Sequence, residues 1–171
     1  MVSHSLAAAK RLRKELQVLQ KSPDDADILL EHNPDNLLQW KAWIRGPVET
    51  PYEGGVFELD IRCGTDYPLA PPSIKFITKI FHPNVHFRTG DICLDILKKE
   101  WSPAWGLQAA CRAVLALLSD PDPDRPLNCD AGNMLRGNAD VMAYEDTAAF
   151  YTVENAQFLS WPVKAEAKKK S

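Results

Sequence analysis

Four cysteines, at positions 63, 93, 111 and 129, are the thiols with which this chain could do covalent chemistry. Their neighbours sort them. Cys63 continues the apolar alternation Phe57, Leu59, Ile61, and Cys111 shares a helical stripe with Leu107, Val114, Leu115 and Leu118, so both are expected in the core. Thiols buried in apolar surroundings are inert, with a raised pKa. Cys129, in Leu127-Asn128-Cys129-Asp130, is uncommitted. Cys93 differs. In Gly90-Asp91-Ile92-Cys93-Leu94-Asp95-Ile96-Leu97 the apolar residues are 92, 94 and 96, so an extended segment points Cys93 toward solvent with Asp91 and Asp95.

An unperturbed thiol of pKa ~8.5 is only a few per cent thiolate at pH 7. Protease-type activation needs a histidine within hydrogen-bond reach, and His82 and His86 are the nearby ones. Two flanking aspartates raise a thiol's pKa and oppose a standing thiolate–imidazolium pair. A thiol left mostly protonated suits a carrier of an already activated acyl group better than a hydrolase. A thiol hydrolase using Cys93 and His82 stays open as an alternative. The set Cys63, His82, His86 and Cys93 lacks any usual metal-ligand spacing, and no C-x-x-C pair occurs, so no metal is expected.

The elements that must position these groups are legible from periodicity. Ala9, Leu12, Leu16 and Leu19 fall on one helical face and Lys10, Arg11, Lys14 and Lys21 on the other, which predicts an amphipathic helix showing a basic ridge outward. Ile28–Leu30 and Leu37–Ile44 read as strands around the turn His32–Asn36. A third strand alternates Phe57, Leu59, Ile61 and Cys63 with Glu58, Asp60 and Arg62. After Pro68, Pro71 and Pro72, which cannot donate to a ladder, Ile74–Ile77 makes a fourth. Residues 81–104 are irregular. Helical spacing resumes at Leu107 and stops at Pro121, and Asp140 caps a last helix carrying Tyr144, Ala148, Tyr151 and Phe158. The class is α+β: an N-terminal helix, a four-stranded antiparallel meander, a long crossing, then C-terminal helices. One domain is expected over 1–163, followed by a basic tail, 164–171.

The chain has 171 residues, 45% hydrophobic and 25% charged, enough for a real core. No apolar run approaches the ~18–20 residues of a membrane span, and residues 1–9 lack the pattern of a secretory signal, so reduced thiols are expected. The net charge of −3 hides basic ends around an acidic body, which would repel nucleic-acid phosphates.

At these residues the sequence resembles the ubiquitin-conjugating enzymes. The resemblance rests on Pro51-Tyr52-Glu53-Gly54-Gly55-Val56-Phe57, Asp66-Tyr67-Pro68 with Pro71-Pro72, and His82-Pro83-Asn84. It continues through Ile92-Cys93-Leu94-Asp95-Ile96-Leu97 and Trp101-Ser102-Pro103-Ala104, covering about residues 6–160. Val85-His86-Phe87 and Leu127-Asn128-Cys129-Asp130 with Gly132-Asn133 look most like the peroxisomal branch. The resemblance implies the ubiquitin-conjugating fold. It also implies a transferase that receives the ubiquitin carboxyl terminus as a thioester on Cys93 and passes it to an acceptor. ATP is consumed by the ubiquitin-activating enzyme, so no cofactor is bound here. Asn84 matches the asparagine credited with oxyanion stabilisation, directly or by ordering its loop; His82, Asp95 and Asp124 are support residues, with His82 expected to be structural.

Further partners follow from the same resemblance. Lys10, Arg11 and Lys14 match the positions that meet the activating enzyme, and Pro68, Leu69, Ser102, Pro103 and Ala104 the two loops that a ubiquitin ligase grips. A membrane-anchored peroxisomal partner would hold the enzyme at the cytosolic face of the organelle without direct membrane insertion, and an import receptor is the implied substrate. The aromatic residues Phe150, Tyr151 and Phe158 read first as core, second as a surface for that partner. Two departures stand out. Asn84 to Cys93 spans nine positions where eight is common, and Arg125 occupies a site where many relatives carry an acid that orients the incoming lysine. A guanidinium cannot act as a base, which opens the way to a thiol acceptor. Conjugation of a ubiquitin-like modifier and a non-catalytic ubiquitin-binding scaffold are the alternatives.

Overall fold

The computed structural model describes residues 2–22, 25–92, 98, 101–156 and 160–162. Rows of apolar side chains crossing a four-stranded sheet organise it. The strands β1 (Ile28–Asn33), β2 (Asn36–Arg45), β3 (Val56–Arg62) and β4 (Ser73–Phe76) are antiparallel in the order β1-β2-β3-β4. Their register sets Ile44 opposite Phe57, Ala42 opposite Leu59, which in turn faces Phe76, and Trp40 opposite Ile61, which faces Ile74. Because side chains alternate with period two, this register gathers every member of a row on the buried face. The other face sets Leu29 beside Trp43 and carries ion pairs, Lys41 with Glu58 at 2.6 Å and Arg62 with Asp60 at 2.8 Å.

Two helices, α1 (Val2–Lys21) and α2 (Leu107–Ser119), pack on the apolar face, and α3 (Cys129–Leu135) and α4 (Val141–Asn155) follow, with a short 3-10 turn at Arg136–Asn138 between them. Ala8 and Leu12 of α1 and Leu107, Cys111, Val114 and Leu118 of α2 enter the core. Burying each such leucine contributes about 1.5–3 kcal/mol. The Asp120 N–H closes α2 on the Ala116 carbonyl and Pro121 bars a further turn. The Asp140 carboxylate accepts the Ala143 N–H and starts α4, as expected. No helix among the described residues is long and apolar enough to cross a membrane.

The α+β architecture of helix, meander, crossing and helices is the one expected, with corrections at its edges. β1 runs on to Asn33, because Glu31 and His32 pair with Lys41 and Trp40 and only Pro34-Asp35 turn. β3 ends at Arg62 and β4 at Phe76, each one residue short of the expected end. α3 was not anticipated. α4 ends at Asn155, short of Phe158; that residue and the 163/164 boundary lie outside the described residues.

Candidate active site

His82-Pro83-Asn84 is the structural centre of the crossing. His82 is fully buried, and both its ring nitrogens are used: Nδ1 accepts the Asn84 N–H at 3.0 Å and Nε2 lies 3.0 Å from the Leu117 carbonyl. Since Nδ1 accepts, the proton sits on Nε2, which donates to Leu117. Burial pushes the imidazole pKa down to about 4, against a smaller upward pull from the Leu117 carbonyl. A neutral ring with both nitrogens occupied cannot accept a thiol proton. The hydrolase reading, which needed His82 as base, therefore loses it; the ring instead ties the turn to the Leu117 carbonyl.

Asn84, 2% exposed, is equally committed. Its Nδ2 donates to the carbonyls of Asp122 at 2.7 Å and Arg125 at 3.1 Å, and its Oδ1 accepts the Asp122 N–H at 2.8 Å. Beside it the Pro83 carbonyl accepts the N–H groups of Leu127 and Asn128 at 2.7 and 3.0 Å. The turn thus holds the whole 122–128 segment by its backbone. Asn128 Oδ1 in turn accepts the Ala131 N–H and caps α3. With both amide hydrogens engaged, the geometry here is that of a loop-ordering side chain.

The chain then folds back. Val85 bridges Ile92, the His86 N–H donates to the Asp91 carbonyl at 2.8 Å, and Gly90 docks on β4, its carbonyl accepting the Phe76 N–H at 2.9 Å. Gly90 has φ +72°, and a Cβ there would lie 1.9 Å from the Phe76 carbonyl oxygen, so only glycine fits. Asp91 is held by Lys75 at 2.7 Å and by the Thr89 hydroxyl at 2.6 Å, which keep its carboxyl below the usual range. Ile92, 7% exposed, is the last described residue before Cys93. Cys93 and Asp95 lie outside the described residues. Of the other thiols, burial, aided by the Glu15 and Asp25 carboxylates respectively, raises Cys63 and Cys111 to about 12, and Cys129 is exposed.

Asp124, offered as support, has an 82% exposed side chain 3.7 Å from Arg136. Asp122 is the carboxylate more closely tied to the loop: its Oδ1 accepts the Asp124 N–H at 3.0 Å and its Oδ2 lies 3.9 Å from Arg125 Nε.

The residues expected to meet the activating enzyme and a ligase lie on adjoining elements. Leu69 is 72% exposed, the Pro68 carbonyl accepts the Trp101 indole N–H at 2.8 Å, and Ser102 closes the turn carrying Pro103 and Ala104. Lys10 and Lys14 are exposed on α1. Arg11 departs from the expected ridge. Its guanidinium reaches the carbonyls of Pro103 and Trp105, both at 2.7 Å, and Glu15 at 2.7 Å. Glu15, absent from the sequence reading, accepts from Tyr67 Oη at 2.6 Å and from the Leu107 N–H at 2.8 Å, tying α1 to both loops. The Arg11/Glu15 spacing of four was visible as a helical pair, but its long-range partners leave no sequence signal. Tyr151 is half-buried against Phe81 and Phe87, as the core reading expects, whereas Phe150 is 58% exposed.

The fold agrees with the family comparison, in which the ubiquitin-conjugating enzyme family matches residues 11–152. The chain belongs to that family and is a ubiquitin-conjugating enzyme. It is 54% identical over 147 residues to the Arabidopsis thaliana protein PEROXIN-4, covering 85% of this chain and 93% of that one. It is also 54% identical over 144 residues to the Dictyostelium discoideum ubiquitin-conjugating enzyme E2 pex4, covering 84% and 96%. Among solved structures, the H. polymorpha ubiquitin-conjugating enzyme Pex4p, in complex with the soluble domain of Pex22p, aligns with TM-score 0.81 at 37% identity, covering 88% of this chain and 99% of that one.

Proposed function

We propose that this enzyme carries ubiquitin on Cys93 and delivers it to an import receptor at the cytosolic face of the peroxisomal membrane. In charging, the Cys93 thiolate attacks the carbonyl carbon of ubiquitin's thioester on the activating enzyme, and that enzyme's thiolate leaves. In delivery, the acceptor nucleophile, lysine amine or cysteine thiolate, attacks the Cys93 thioester. The tetrahedral oxyanion collapses, Cys93 leaves as thiolate, and an amine acceptor loses its proton to solvent or a nearby base. Activation is already stored in the thioester, so the protein's task is orientation and charge stabilisation. Asn84 acts by fixing the loop beside the reaction and Asp122 is the carboxylate that loop presents; no cofactor takes part.

The single observation that carries the reading is the double clamp of Asn84 and Pro83 on residues 122–128, in a chain whose Cys93 follows directly on the hairpin docked beside it. The peroxisomal assignment is supported by the names of the relatives and by the Pex22p complex of the H. polymorpha protein. An anchored partner of that kind would cover the apolar face that Met142, Phe150 and Val153 leave open on α4.

The test is discharge of the purified, loaded enzyme to free lysine and to free cysteine, after charging with ubiquitin, activating enzyme and ATP. A thiol-labile adduct that discharges to either acceptor is expected. Charging only by a different modifier, or binding of ubiquitin with no adduct, would replace the proposal with one of the two alternatives.

A further inference from the structure

A groove of about 470 Å³ lies between β4 and the 85–90 turn, the stretch that makes the Asn84–Cys93 spacing nine positions. Its wall is apolar at Ile77 and Phe87 and cationic at Lys79 and Arg88, while His86 is turned inward, its Nδ1 accepting the Thr89 N–H at 3.1 Å. The Lys79 ammonium is held 4.3 Å above the Phe87 ring and 5.5 Å from the Tyr151 ring. Among the described residues, neither Lys79 nor Arg88 takes part in an ion pair. The carboxylate next along the chain, Asp91, is already neutralised by Lys75. The groove is therefore a positive spot on a chain of net negative charge, and Cys93 is the third residue after its turn.

We infer that this groove recognises the acceptor protein, taking an acidic side chain that lies close to the residue to be ubiquitinated, with an apolar neighbour against Ile77 and Phe87. Charge complementarity selects the occupant: an ammonium fixed over aromatic faces is preorganised and loses little entropy on meeting a carboxylate. Covalent continuity selects the event, because position 93 is the third residue after Gly90 at the end of the turn, at most about 11 Å away along the chain. The inference rests on the carrier role of Cys93 proposed above and adds to it a substrate preference.

The test uses the full chain loaded with ubiquitin, and two fluorescent peptides that differ only in Glu or Gln placed two residues from a single acceptor, each made in lysine and cysteine versions. The readout is the Glu/Gln ratio of second-order discharge rates, measured within each enzyme so that differences in overall activity cancel. A ratio of at least about fivefold is expected for the unaltered enzyme, falling with salt, the size of one partly screened ion pair. It is expected to approach one in the double variant Lys79→Gln with Arg88→Gln and to fall below one in Arg88→Glu, an exposed change that leaves the Lys79 ring contact in place. A ratio near one in the unaltered enzyme, or a preference that survives both variants, overturns the inference. Failure to form the thioester at all would instead count against the carrier role.

Discussion

The side chain of Asn84 and the backbone of Asp122 hold each other twice: Nδ2 donates to the Asp122 carbonyl at 2.7 Å, and the Asp122 N–H donates back to Oδ1 at 2.8 Å. A third bond, to the Arg125 carbonyl at 3.1 Å, extends the hold along the loop. Asn84 and the loop that carries Asp122 and Asp124 are thus one unit, so removing either disturbs both.

Asn84→Ala is expected to slow discharge by about 10²-fold, the scale for losing a group that organises oxyanion chemistry. Hydrogen exchange separates the two ways this could arise. A loop-ordering role predicts that exchange at the Asp122 amide rises by at least about tenfold, since its acceptor is gone. Slow discharge with unchanged exchange would point to direct donation instead.

His82 gives the stability a pH dependence. Its folded pKa of about 4 lies below the ordinary 6.5, so between those values the unfolded chain binds more protons and stability falls as pH falls. Roughly 3 kcal/mol should be lost from pH 7 to pH 4 through this group alone. Urea unfolding of the protein and of His82→Asn across that range measures it; the variant, less stable at pH 7, should show a shallower acid slope.

Glu15 should matter beyond its own helix. Glu15→Ala leaves the Tyr67 hydroxyl, the Leu107 N–H and Arg11 Nε without their acceptor, and about 2–4 kcal/mol of stability is expected to go with it. Because both expected ligase-gripping loops are anchored there, ligase-stimulated discharge should fall more than unstimulated discharge. Equal losses would reduce Glu15 to a stability role.

The Tyr52 and Tyr144 hydroxyls lie 2.6 Å apart, with Tyr52 donating to the Phe81 carbonyl at 2.8 Å. Tyr144→Phe removes one partner and is expected to cost about 1 kcal/mol; Tyr52→Phe should cost more, because it also strands a buried carbonyl. Denaturant midpoints for the two variants and the double variant give the coupling.

The meander was legible in sequence because β3 alternates Phe57, Leu59 and Ile61 with Glu58, Asp60 and Arg62, and α2 because its apolar stripe ends cleanly at Pro121. α3 was not, because Cys129, Asn133 and Gly132 are weak helix formers. Its start signal, Asn128 as cap, was present, and its glycine is explained only by packing: a Cβ on Gly132 would lie 2.7 Å from Pro126 Cβ. The site divided in the same way. His82 and Asn84 could be picked out by type and spacing, but that both are saturated with hydrogen bonds depends on Leu117, Asp122 and Arg125, all more than thirty residues away. Arg11 read as a surface cation because helical periodicity assigns a face without saying what lies opposite it.

Cys93 and Cys129 are the two thiols not assigned to the core, so the most direct measurement compares them. Wild-type enzyme, Cys93→Ala and Cys129→Ala would be charged with ubiquitin, activating enzyme and ATP, and the products resolved without reductant. A thiol-labile adduct that survives Cys129→Ala and disappears in folded Cys93→Ala is the expected result. An adduct that persists in Cys93→Ala would contradict the carrier role of Cys93.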